Sequence, residues 1–429
     1  MNFWLTETSK IRGKISEFLA TVLKQSTLLL AATLLLRSGP VFIGICLTYV
    51  ANAEEVSRIT TMYLSVFFLS NVAGGGINAI ATKYVARYST NVFFSEVIRR
   101  TFFSLTTIYT ILVLFIFGLS ILYTESYDYV EECVLFAASL SSLMPLNLLL
   151  SILIGYQRIE FYFFVGLVNF AVFSTGSVLL YFTGNILIMP TTVLIASLLS
   201  LICAVVLLAT AGQSVKTKTL KNQHQVWRCL LCKSLKNLLS NIFVAPTFFI
   251  MSFVLAKTAL PMESAAFNLV LQLRNLVALV PNSVSQFFLP KLSKRSGSVG
   301  WVHYLIIQLM VVATMTLALY FGAEIIAAIY RDMTSLMVQG IKLMVVSSAI
   351  AAAASIQGQY FFVHAQYNIN ISLNIIWSFI LIVLIITDSI PTMVSFVSHL
   401  IVAYSILFGI GLLLFALTRK GAQRNSHAD

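Results

Sequence analysis

The sequence predicts an all-α polytopic membrane protein of about twelve transmembrane helices, arranged as two six-helix lobes related by a pseudo-two-fold axis along the membrane normal. Three observations carry this. The 429 residues are 59% hydrophobic and only 10% charged, with a mean hydropathy of +0.92, whereas soluble domains carry about 25% charged residues. Apolar stretches long enough to cross a hydrocarbon core of about 30 Å recur along the chain. Landmarks of the first half return in the second at nearly constant spacing.

Residues 3–23 read as an interfacial helix, with Ile11, Ile15, Phe18, Leu19 and Val22 on one face and Lys10 and Lys14 opposite. No small-residue cleavage site follows the first apolar run, so this segment does not read as a secretory signal. Twelve apolar spans follow, at about 27–50, 59–82, 101–123, 132–154, 161–183, 187–211, 238–258, 265–290, 301–325, 336–360, 370–388 and 391–417. On one side the connections are short and acidic, carrying Glu54, Glu55, Glu125, Asp128, Glu131, Glu132, Asp332 and Asp388. On the other side lie 21 of the 27 basic residues, among them Lys83, Arg87, Arg158, Lys233, Lys291, Arg295 and Arg424. The positive-inside rule makes that side the cytoplasm, with both termini there. The net charge of +12 is thereby explained by topology and requires no nucleic-acid partner.

Residues 1–211 form the expected N-terminal lobe with helices 1–6, 212–237 a basic cytoplasmic linker, 238–417 the C-terminal lobe with helices 7–12, and 418–429 a cytoplasmic tail. Pro40 and Pro246, 206 residues apart, fall in the first helix of each half. Lys83-x-x-x-Arg87 and Lys291-x-x-x-Arg295, 208 apart, follow the second helix of each. Asn78 and Gln286 each precede the lysine by five, and Gln157 and Gln366, 209 apart, open the fifth helix of each. Six helices per half give parallel repeats, a plan that places substrate at the repeat interface.

The polar residues inside the spans point to the chemistry. Arg37 lies 10 residues into the first span, about 15 Å deep at about 1.5 Å per residue. A cation near the bilayer centre costs about 2.5–3.5 kcal/mol or more on insertion scales, so it faces a watery cavity or a partner. All 15 acids fall in loops, at span edges or at the termini, which leaves Arg37 without an intramembrane carboxylate. Asn71 and Asn78 in the second span, beside Gly74-Gly75-Gly76, and Asn268, Gln272, Asn275, Asn282 and Gln286 in the eighth form polar stripes. They can line a cavity or join helices by hydrogen bonds. Arg274 lies about 120° from the eighth-helix stripe on an ideal helix. Lys342, near the start of its span, can line the cavity or snorkel outward. Lys83, Arg87, Lys291 and Arg295 mark the cytoplasmic mouth, as substrate attractors or as topology determinants. The glycine run can pack helices closely or serve as a hinge.

Other chemistries find little support. Nothing matches G-x-x-x-x-G-K-[ST], so an ATP-driven pump is not expected. Cys229-x-x-Cys232 lacks a second pair at metal spacing, and the five cysteines are too scattered for a disulfide framework. No cofactor, metal site or enzymatic activity is expected. Long outer loops of the kind a polysaccharide polymerase carries are absent from the expected topology.

The run from Gly76 to Tyr88 (Gly-Ile-Asn-Ala-Ile-Ala-Thr-Lys-Tyr-Val-Ala-Arg-Tyr) resembles the end of the second helix in Wzx-type flippases of bacterial polysaccharide assembly. The branch it is most similar to moves O-antigen and enterobacterial common antigen lipid intermediates. Leu289-Pro-Lys-Leu-Ser293 resembles that family's segment after the eighth helix. The resemblance implies the multidrug/oligosaccharidyl-lipid/polysaccharide (MOP) exporter fold, a V around a cationic cavity, in the bacterial inner membrane. It implies a cargo of undecaprenyl-pyrophosphate-linked oligosaccharide, an O-antigen-type unit of lipopolysaccharide biosynthesis, moved to the periplasmic leaflet. An ion gradient or the membrane potential would drive it, and a polysaccharide polymerase and chain-length regulator would be partners. Family cavity arginines lie in helices such as the first and eighth, where Arg37 and Arg274 stand; Arg274 matches no signature position. The alternative is an ion-coupled multidrug or small-solute antiporter of the same fold, which needs a buried carboxylate.

Overall fold

A chain in hydrocarbon must satisfy its peptide groups internally, so long apolar stretches fold as helices. The computed structural model describes residues 27–88, 99–111, 114, 118, 129–211, 223–278, 298–331, 333–364, 366–388 and 391–425. Helix α1 spans Thr27–Val50, α2 Ala53–Tyr88, α3 99–111, α4 Val130–Gly155, α5 Ile159–Thr183 and α6 Ile188–Ala211. The second half holds α7 Gln223–Ile242, α8 Ala245–Thr258, α9 Pro261–Val277, α10 Ser298–Phe321, α11 Ala323–Ala327, α12 Thr334–Val363, α13 Tyr367–Thr387 and α14 Met393–Asn425. Among the described residues, eight helices are long and apolar enough to cross a membrane. The expected interfacial helix at 3–23 lies outside the described residues.

The two halves repeat one packing plan. In the first, α4 packs on α2 and α6, and α5 on α6; in the second, α12 packs on α9 and α14, and α13 on α14. Gln157 sits in the α4–α5 connection and Gln366 caps α13, so the 209-residue landmark falls on equivalent corners. Helix α2 joins the lobes by packing against α7, α8 and α9. Aromatic rings fill part of that seam: Phe68 stacks on Phe248 at 5.6 Å between centroids, and Phe248 meets Trp377 at the same separation.

Large apolar side chains stay bare on the outside. Phe182 is 80% exposed, Ile386 and Phe321 each 77%. Continuous apolar surface of this kind suits lipid and not water. With lipid tails as apolar as leucine, helix association depends on close packing and polar contacts.

Three local features depart from the expected spans. The stretch expected as a linker is helical from Gln223. Leu230, Ser234 and Asn237 recur at helical spacing and are buried; α7 uses that face against α2 and α13. Second, the α7–α8 helix breaks at residues 243–244, just before Pro246, whose missing N–H cannot sustain the ladder. The Phe243 carbonyl instead accepts from the hydroxyls of Thr247 and Ser378. Third, the ninth span divides at Gly322 into α10 and α11. Helix α2, by contrast, runs unbroken through the glycine run.

Candidate functional site

A cavity of about 250 Å³ opens among α1, α2, α4, α5 and α6, with α9 of the other lobe supplying part of its wall. Its placement follows from close contacts at glycine. A Cβ on Gly39 would stand 2.7 Å from the Phe173 side chain, and one on Gly166 would stand 2.7 Å from the Ala32 carbonyl. Only glycine at both places lets α1 lie this near α5. Pro40 cannot donate to the Leu36 carbonyl, which loosens the helix beside Arg37. Across the lobe boundary, a Cβ on Gly44 would come 3.0 Å from Gln272 Oε1, so α1 and α9 are also close.

Arg37 lines this cavity. It is half-buried, with its guanidinium carbon 4.9 Å from the centroid of Phe67. None of the ion pairs among the described residues involves it. Asn71, Asn78, Gln272 and Asn275 line the same space, as do Tyr63, Asn147, Tyr162 and Asn169. Asn78 Oδ1, Asn169 Oδ1 and both amide atoms of Gln272 are buried with no protein partner. Buried polar atoms are nearly always satisfied, so such a group marks a place for water or ligand. Among the described residues, the wall thus offers one cation outside any ion pair, several carboxamides and two phenols, and no carboxylate.

The other expected site residues fall elsewhere. Arg274 is not part of this wall. Its Nη2 donates to the Tyr404 hydroxyl at 2.8 Å, and its guanidinium carbon lies 4.6 Å from the Phe248 centroid. Its Nε is buried without a partner. The offset from the Gln272–Asn275 stripe explains this: the stripe meets the cavity while Arg274 turns into its own lobe. Asn268 serves as inter-lobe glue, donating to Thr61 at 2.8 Å and Thr60 at 3.3 Å. Lys342 pairs with exposed Glu324 at 3.2 Å, across the α11–α12 edge and away from the cavity. Lys83 lies at the basic end of α2, where its ammonium is 3.5 Å from the Phe362 carbonyl of the other lobe. Burial, and then the charges of Lys233 and Arg87, hold the Lys83 pKa below the usual lysine value. Arg87 is exposed in the last turn of α2. Asn282, Gln286, Lys291 and Arg295 lie outside the described residues.

Sequence reasoning missed Asn147, Asn169, Tyr63 and Tyr162. Each of the two asparagines is a single amide in an otherwise apolar span, without the repeated spacing that makes a stripe. Their signal was isolation at mid-span, with Asn147 two residues beyond Pro145. Glu132, expected among the acids of an outer connection, is instead buried at the start of α4 and bonded twice by Arg58, at 3.0 and 3.3 Å.

No protein-family model matches the chain, and no curated protein matches it. Solved structures do. One, described as the outward-facing conformation of a multidrug resistance MATE family transporter of the MOP superfamily, aligns with a TM-score of 0.69 at 11% identity, covering 94% of this chain and 96% of the other. A second, the inward-facing conformation of such a transporter, aligns at 0.65 and 12% identity, covering 92% and 99%. A third, a MATE structure in a straight conformation, aligns at 0.64 and 12%, covering 93% and 96%. The chain therefore has the two-lobed, roughly twelve-helix fold of the MATE transporters of the MOP superfamily.

Proposed function

We propose that this protein is an inner-membrane flippase that moves an undecaprenyl-pyrophosphate-linked oligosaccharide from the cytoplasmic to the periplasmic leaflet by alternating access. One observation carries the reading: Arg37 lines a cavity walled by carboxamides and phenols, with no carboxylate among its described lining residues. An anion is the complement such a wall lacks, and a low dielectric strengthens charge-assisted bonds to it. Asn78 Oδ1, Asn169 Oδ1 and both amide atoms of Gln272 have no protein partner and can bond sugar hydroxyls. A cavity of about 250 Å³ is below the usual 300–1,000 Å³ of ligand pockets. It suits the phosphate end of the cargo, with the polyprenyl tail left in lipid. In this reading the basic end of the bundle is cytoplasmic, and an ion gradient or the membrane potential supplies the energy.

Arg37→Ala is expected to abolish surface glycan while the protein still inserts at normal abundance. Normal glycan display in that variant would overturn the assignment. A second reading, an ion-coupled multidrug antiporter, draws on the multidrug transporters that share the fold. Dye export that persists in cells lacking the glycan-assembly enzymes would favour it.

A further inference from the structure

We infer that Lys83 and Lys233 form a phosphate-binding site between the two lobes at the basic end of the bundle, separate from the Arg37 cavity. Lys83 comes from α2 of the first lobe and Lys233 from α7 of the second. Lys233 reaches the residue next to Lys83, Tyr84: its ammonium bonds the Tyr84 hydroxyl and stands 4.9 Å from the ring centroid. The Lys83 ammonium stands 5.0 Å from the centroid of Phe362, at the last turn of α12.

Both lysines are half-buried, and neither takes part in an ion pair among the described residues. An ammonium has three donors. The hydrogen bond found for Lys83 is to the Phe362 carbonyl at 3.5 Å, beyond the usual 2.7–3.2 Å range. Burial first, and then the neighbouring charges of Lys233 and Arg87, disfavour the charged form of Lys83. A phosphate dianion between them offsets the cost of holding two partly buried cations and takes up donors that the Phe362 carbonyl, the Tyr84 phenol and the Cys229 thiol leave unused. Because Lys83 now touches α12 of the opposite lobe, a phosphate that captured it would exchange an inter-lobe contact for its own. The site therefore deepens the transport reading, and it rests on that reading for the carrier of the phosphate. Phosphate binding stands without it.

The test uses the full-length protein in phosphatidylcholine nanodiscs, titrated calorimetrically with inorganic pyrophosphate. Arg37→Ala is expected to keep one class of binding that Lys83→Gln and Lys233→Gln each weaken about tenfold, the scale of a hydrogen bond to a charged group. Lys83→Arg and Lys233→Arg keep the charge and are expected to bind like the natural protein. Loss of all binding in Arg37→Ala, with both glutamine variants unchanged, would overturn the site. So would equal weakening by the glutamine and arginine variants, since charge would then not be the cause. Repeating the titration in phosphatidylglycerol discs separates the sources. Competition there identifies a phospholipid headgroup, and no competition identifies a carrier pyrophosphate; either supports the site. Because Arg37→Ala is tested apart, failure at the lysines and failure of the flippase reading give different results.

Discussion

The Ser57 hydroxyl donates to the Ser264 hydroxyl at 2.8 Å, although the residues are 207 positions apart. That separation lies between the 206 and 208 of the Pro40–Pro246 and Lys83–Lys291 landmarks. By that spacing the two serines occupy equivalent places in the two halves. Asn268 and Thr61, also 207 apart, extend the same seam. The Tyr49 hydroxyl adds a bond to the Ile329 carbonyl across the lobes at 2.8 Å.

This seam must part if the lobes rock. Ser57→Cys with Ser264→Cys, in a background whose five natural cysteines are serine, is expected to form a disulfide under oxidation. Transport should stop when it forms and return on reduction. Full transport by the oxidised pair, with cross-linking verified by mass spectrometry, would show that this end does not open.

Helix α1 is held in place by what Gly39 lacks. Gly39→Val would force a side chain into Phe173, an overpacking that costs about 1–3 kcal/mol. Thermal unfolding in detergent should shift to lower temperature, and Arg37-dependent transport should fall with it. An unchanged unfolding midpoint would contradict the close α1–α5 approach.

Arg58 and Glu132 make a buried pair at 3.0 Å, with side chains 20% and 5% exposed. Arg58→Ala strands a buried carboxylate, expected to cost about 3–5 kcal/mol. Replacing both, by Arg58→Met and Glu132→Leu, should restore most of that loss. Denaturant unfolding of the three variants checks it: equal losses in the single and double variants would mean that the pair is not coupled. Lys342→Ala is a useful contrast. Its partner Glu324 is 74% exposed, and exposed pairs contribute about 0–1 kcal/mol.

Much of this was legible in the sequence, and the residues show where legibility ended. The all-helical membrane character and the two-lobed plan were readable because hydropathy and spacing are one-dimensional. The cavity position of Arg37 was readable because a mid-span cation allows few alternatives. Whether Asn268 lines the cavity or joins the lobes was not readable, since both uses put an amide on the same stripe. Arg274 and Lys342 needed tertiary contacts: Tyr404 is 130 residues from Arg274, and Glu324 is across a helix corner from Lys342. Helix α7 was hidden because its buried face includes Ser234 and Asn237, which read as loop.

The most direct test of the central claim is initial-rate flipping of a fluorescent polyprenyl-pyrophosphate oligosaccharide by the purified protein in vesicles. Arg37→Ala is expected to slow it by about tenfold to a hundredfold, the range that a hydrogen bond to a charged group supports, with Arg37→Lys between that and the natural protein. A natural rate in Arg37→Ala, at equal reconstitution, would contradict the account.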